Sequence, residues 1–155
     1  MSTYGQTRIS TGGRGIDAFT NPEMVRDKPG GITHDWNASG WPVGDGVTDI
    51  GGGVVVPSGV KYARYGMPLT KITASGKYGP ALTTANDGRQ VVDGFLSGST
   101  FISKRTHLQS SLKSDQCALI ADNGDVFTAR MFTSYAGAPT LANLRAMFPK
   151  IGFID

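Results

Sequence analysis

Between Tyr65 and Leu96 the chain reads YGMPLTKITASGKYGPALTTANDGRQVVDGFL, and this stretch leaves little choice of secondary structure. Met67 to Thr73 alternates in part between apolar and hydroxyl or charged residues, and Ser75-Gly76 interrupts it. Lys77 to Ala81 resumes, Asn86-Asp87-Gly88 interrupts again, and Val91 to Leu96 follows. A period near two broken by turn formers predicts strand, turn, strand, loop, strand: a β-meander. Downstream, Cys117 to Ala121 (CALIA) and Val126 to Phe132 (VFTARMF) flank Asp122-Asn123-Gly124-Asp125. Asn-Gly between two apolar runs predicts a hairpin. These five segments are expected to form the core of one small β-domain.

The rest of the chain divides by composition. Of its 22 glycines, 13 fall within the first 60 residues. There, isolated apolar groups (Tyr4, Ile9, Ile16, Phe19, Trp36, Trp41) alternate with turn formers such as Pro29-Gly30-Gly31 and Gly44-Asp45-Gly46. Neither helical nor strand periodicity is sustained, so local burial does not offset the entropy of ordering the backbone. Residues 1–50 are therefore read as an extended Gly-rich N-terminal arm and 51–155 as a β-rich body. Within the arm, Pro22 to Lys28 is expected to form a short helical turn capped by Asn21. The two tryptophans either fold back onto the body or dock on a partner, where Trp is enriched among anchors. Val54-Val55-Val56, after Gly51-Gly52-Gly53, is read as the body's first strand, and Ser97 to Lys113 as an irregular connection with one weak strand. Pro139 to Phe148 (PTLANLRAMF) has helical spacing and ends at Pro149, and Ile151 to Ile154 is expected as a last strand at a sheet edge.

Charge and motifs narrow the function more by exclusion than by selection. Residues 1–60 carry four basic and six acidic side chains and 61–155 carry eleven and six, which gives the net +3. So small and dispersed a charge neutralises few phosphates, and nucleic-acid binding is not implied. No run of about 18 apolar residues could span a bilayer, and MSTYGQTRIS lacks the apolar region of a secretory signal, so a soluble product made in the cytoplasm is expected. Cys117 is read as a buried structural thiol. His34 and His107 lack a second ligand at metal-binding spacing and are read as ordinary surface or packing residues. Asp122-Asn123-Gly124-Asp125 lacks the rest of a calcium loop, and Gly51-Gly52-Gly53 lacks the Gly-Lys-Ser/Thr and helix of a phosphate loop. Glu23 is the only glutamate, and no serine sits in a Gly-x-Ser-x-Gly elbow. No catalytic constellation, metal site or cofactor is expected, and the chain reads as a structural or interaction protein. Two other readings stay open: a small basic β-barrel that binds nucleic acid, stacking bases on Lys61-Tyr62-Ala63-Arg64-Tyr65 and Lys77-Tyr78, and a module that recognises host carbohydrate.

Met67-Pro68-Leu69, Ser75-Gly76-Lys77, Asp87-Gly88, Asp93-Gly94-Phe95-Leu96 and Asn123-Gly124-Asp125-Val126-Phe127 occur in that order. In sequence and order they resemble the lambda-type head decoration proteins of tailed bacteriophages, which cement the capsid. The resemblance covers roughly residues 65–132 and extends to the helix and last strand; the arm, with Trp36 and Trp41, is longer than the family's. It implies a mainly β fold: a small β-barrel or β-tulip-like body with one short C-terminal helix and a long extended N-terminal arm. It also implies a homotrimer on the outer surface of the virion capsid, at three-fold and quasi-three-fold positions, with the major capsid protein as partner. The arm would add a strand to the partner's sheet edges, with Ile9, Phe19, Trp36 and Trp41 as its apolar anchors.

Overall fold

A computed structural model describes Ala18, Arg26–Asp27, 29–98, 100–104 and 117–155. The described chain is mainly β. Its strands are β1 (Arg26–Asp27), β2 (Ile32–Thr33), β3 (Tyr62–Ala63), β4 (Pro68–Lys71), β5 (Tyr78–Pro80), β6 (Gly94–Ser97), β7 (Phe101–Ile102), β8 (Cys117–Phe127) and β9 (Ile151–Ile154). One helix, α1 (Leu141–Met147), precedes β9. The main sheet runs in the order β1-β8-β6-β4-β5, with β2 and β9 also paired to β8, and β3 pairs β7 in a separate ribbon. Among the described strands every ladder is antiparallel except β8–β9, which α1 makes possible by carrying the chain back.

β6 explains why the sheet sits in the middle. All four of its residues are buried, because successive side chains point to opposite faces and both faces are covered. Phe95 enters a core with Ala121, Val126, Leu144 and Ile151, closed by Phe148 and Phe153. Leu96 enters a second core with Ile32, Trp41, Met67, Leu69, Phe101 and Ile120. Ile120 and Ala121 of β8 divide between the two cores in the same way. Close approach of β6 to β8 requires Gly94, since a Cβ there would lie 2.9 Å from the Ala121 carbonyl oxygen. A third, smaller core joins Val56, Val60, Tyr62 and Ile102.

The structure departs from several sequence expectations. The three central strands lie where expected, yet their order is β5-β4-β6, so β6 returns to the far side of β4 and the unit is no meander. The hairpin at Asp122–Asp125 is absent: β8 runs unbroken through it, with Asn123 opposite Arg26 and Gly124 opposite Ile151. Gly124 holds a φ of 124°, a value that suits glycine, so Asn-Gly marks an irregularity within a strand. Long-range pairing here overrides the local turn signal. Val54–Val56 is not a strand, and only Val55 bridges Asp49. Of the turn expected over Pro22 to Lys28, the described Arg26–Asp27 is extended and paired to β8. No ladder among the described residues joins β1 to β5, so the sheet does not close into a barrel.

The helix begins two residues later than Pro139. Thr140 is its N-cap: the Asn143 N–H donates to Thr140 Oγ1 at 3.2 Å, and the Thr140 N–H donates to Asn143 Oδ1 at 3.3 Å. Its one buried side chain, Leu144, pins it to the first core. Among the described residues β9 pairs only with β8, as expected of an edge.

Phe95→Ala is expected to destabilise the body by about 3–5 kcal/mol. Val47→Ala, at a side chain 80% exposed, should change stability by no more than about 0.5 kcal/mol. Urea unfolding of the two variants checks the pair.

Candidate functional site

The residues Gly31 to Trp41 (GITHDWNASGW), expected as part of the arm, form an ordered strap across the second core. Its first part is backbone pairing: Ile32 and Thr33 lie opposite Ala118 and Cys117 of β8. His34 then forms a parallel bridge to Tyr78, and the Asp35 N–H donates to the Tyr78 carbonyl at 2.7 Å. That contact covers the edge of β5 that β4 leaves open. A turn follows, in which Asp35 Oδ1 accepts the Asn37 N–H at 3.1 Å and the Asp35 carbonyl accepts the Ala38 N–H and the Trp41 indole N–H, the latter at 2.7 Å.

Two basic side chains hold the strap from outside. Lys61 Nζ donates to the Trp36 carbonyl at 2.7 Å. Arg89, almost fully buried, donates through Nη1 to the Ser39 carbonyl at 2.7 Å while its guanidinium pairs with Asp87 at 2.9 Å. Arg89 draws the Asp87 carboxyl below its usual value. The strap also passes close to Leu82: a Cβ at Gly40, whose φ is 92°, would lie 2.9 Å from a Leu82 methyl.

Four rings converge beneath the strap. His34 stacks on Trp36 with centroids 4.8 Å apart and meets Phe101 at 5.1 Å and Trp41 at 5.7 Å, while Trp36 and Trp41 are 4.7 Å apart. Trp41 is 6% exposed and His34 1%. Both imidazole nitrogens and the Trp36 indole nitrogen are buried without a hydrogen-bond partner. Burial pushes the His34 imidazole down to about 4 from an ordinary 6.5. Nearby, the Tyr135 hydroxyl donates to the Ala81 carbonyl at 2.9 Å, and burial pushes that phenol upward.

These positions decide between the two uses left open for the tryptophans. Trp36 and Trp41 pack on the body, Trp41 as a core residue, so residues 29–50 are integrated with 51–155 and the division at residue 50 does not follow the packing. As docked, neither tryptophan is a free anchor. Ile9 and Phe19 lie outside the described residues, as does His107, and the Cys117 side chain likewise. Ala18 is fully buried, and its carbonyl accepts the Phe127 N–H at 3.0 Å. What sequence reasoning missed was His34 as a strap residue and Arg89 as a side chain that holds the strap. The available signal was Asp35 and Asn37, turn formers on either side of Trp36, a pattern of ordered turns.

The proposed base-stacking residues divide: Lys77 is exposed and Tyr78 half-buried. Tyr62, Arg64 and Tyr65 are all buried. Arg64 donates to the carbonyls of Ile50 at 2.6 Å and Arg130 at 2.8 Å and to the Tyr65 hydroxyl at 3.0 Å, cross-linking three segments. Gly51 leaves room for it, since a Cβ would lie 2.7 Å from both Arg64 Nη2 and Tyr65 Oη. Elsewhere, Thr70, Lys71, Thr73, Gly88, Val91 and Asp93 line a shallow cleft. Asp93 Oδ2 there is occupied by the Lys71 N–H at 2.8 Å, and Thr70 Oγ1 donates to the Val91 carbonyl. Among the described residues no group of three His, Cys, Asp or Glu is placed to hold a metal ion, and no helix is long and apolar enough to cross a membrane. No protein-family model, curated protein or solved structure matches this chain.

Trp41→Ala is expected to destabilise the whole body by about 3–5 kcal/mol, as for a core aromatic. A solvated arm residue would change stability by no more than about 0.5 kcal/mol. Chemical denaturation followed by far-UV circular dichroism separates the two.

Proposed function

We propose that this chain is a non-enzymatic structural protein of a virion. It binds the major capsid protein on the outer surface of a phage head, as a trimer at three-fold and quasi-three-fold positions, and stabilises the head against the pressure of packaged DNA. The resemblance over residues 65–132 supports this reading. The observation that carries it is the way the N-terminal part attaches: β1 and β2 join a sheet by extended backbone pairing along β8. The same mode, applied to an edge of a capsid subunit by the residues before Ala18, gives strand addition.

With Trp36 and Trp41 committed to the body, lattice contact falls to the upstream residues, with Ile9 and Phe19 as anchors. Three such arms on one trimer bind multivalently, so modest affinity in each becomes strong retention through effective concentration. The nucleic-acid reading loses two of its three stacking tyrosines, because Tyr62 and Tyr65 are buried and only Tyr78 is partly exposed.

Removing residues 1–17 together with Phe19→Ala should leave a folded protein with the mass of three chains by light scattering, yet abolish co-sedimentation with matching expanded, empty heads. Removing residues 1–41 should prevent folding, since β1, β2 and Trp41 go with them. Undiminished co-sedimentation by the shorter truncation would overturn the assignment of the arm. A full-length monomer that ignores heads but binds short DNA in a salt-dependent way would overturn the function itself.

A further inference from the structure

The four-ring cluster has a property that packing alone does not require: its central member is titratable and has nothing to share a proton with. His34 is 1% exposed, and neither of its nitrogens has a partner. A buried polar group without a partner is exceptional and calls for a physical role. At neutral pH the cluster tolerates the ring because a neutral imidazole stacks like any flat aromatic. Once protonated, the ring would hold a full charge in an apolar shell.

The groups around it offer little relief. On the strap, Asp35 is the neighbouring carboxylate, but its oxygens accept from the Asn37 N–H and the Ser75 hydroxyl. From the segment before β3, Lys61 brings a second positive charge to the Trp36 carbonyl. β5 contributes Tyr78, whose phenol burial and then Asp93 push upward, and β7 contributes Phe101. Arg89 and Asp87 are paired with each other at the Ser39 end, and Tyr135 donates to Ala81. None of these reaches the imidazole with a hydrogen bond.

We propose that the His34–Trp41 part of the strap is an acid-released latch and that His34 is its trigger: protonation expels these residues from the second core and uncovers the outer edge of β5, while β2 stays paired to β8. These residues are suited to leave as a unit. Beyond β2, this segment is held to β5 by the His34 bridge and the Asp35 N–H, and otherwise chiefly by the rings, Lys61 and Arg89, whereas β6, β8, β9 and α1 hold one another through the first core and β4 pairs with β6.

The sign follows from the two protonation equilibria. A released imidazole takes its proton near 6.5, and the docked one near 4. Between those values the released state binds a proton that the docked state refuses. Docking is therefore complete above pH 6.5, weakens as pH falls toward 4, and weakens no further below that. The full shift in the docked-to-released ratio is about 300-fold, an upper bound because Trp36 and Trp41 attract a cation over their faces.

The chain supplies its own reporter, since Trp36 and Trp41 are its only tryptophans and both lie in the strap. The experiment is a pH titration of the full chain, reading tryptophan emission for the strap and far-UV circular dichroism for the body. Emission should move to the red with a midpoint between pH 6.5 and 4 while the strand signal persists. His34→Phe should keep its blue emission down to the pH at which the strand signal itself is lost, and His107→Gln, at the only other histidine, should behave as wild type. Loss of both signals together in the wild type, or an unchanged transition in His34→Phe, would overturn the latch. Should His34→Phe not fold, proton NMR of the wild-type His34 ring decides: titration well below 6.5 in the docked chain supports the latch, and titration at 6.5 or above overturns it.

Discussion

The fold depends on the backbone of β8. This strand of 11 residues is paired along nearly its whole length: with β2 at Cys117 and Ala118, with β6 from Leu119 to Ala121, with β1 at Ala121 and Asn123, and with β9 from Gly124 to Phe127. Ala121 is paired on both sides at once, to Phe95 and to Asp27. Because a shift of one residue in a strand's register turns every side chain to the other face, a slip in β8 would exchange Ile120 and Ala121 between the two cores. The remaining strands are two to four residues long and could not fix such a register by themselves.

Around that strand the molecule is held by contacts between segments far apart in sequence. Arg64 fastens the loop at Ile50 to the turn at Arg130, and Arg89 fastens Ser39 to the loop beside β6. A buried guanidinium that donates to several carbonyls satisfies its own hydrogen bonds and theirs together. Gly51 is required by the close approach of Arg64 and Gly40 by that of Leu82, so part of the glycine content that reads as flexibility serves compaction.

This bears on how much the sequence disclosed. β4, β5, β6, α1 and β9 were legible because each carries its own local pattern: alternation between turn formers, or apolar spacing that ends at Pro149. The continuity of β8 was not, because Asn123-Gly124 is a strong local turn signal and the strands that override it, β1 and β9, lie far away in the chain. The candidate site was half legible. Two tryptophans in a glycine-rich stretch left open whether they fold back or dock on a partner, and only the fold places them against the chain's own second core. Val54–Val56 shows the reverse case, an apolar run that reads as a strand and instead supplies Val56 to a small core.

The dependence of the N-terminal segments on β8 also sets a schedule for synthesis. β1, β2 and the strap leave the ribosome long before residues 117–127 exist to receive them. At roughly 5–20 residues per second that interval is on the order of ten seconds. For that time Trp36 and Trp41 have no core to enter, and the turn-rich, charged residues interspersed with them must keep the nascent segment in solution. The body can therefore close only late, when β8 arrives, and the final parallel strand β9 must wait for α1 to bring it back. Vectorial synthesis thus presents this protein with its hardest non-local pairings at the end, where loop closure makes β assembly slowest.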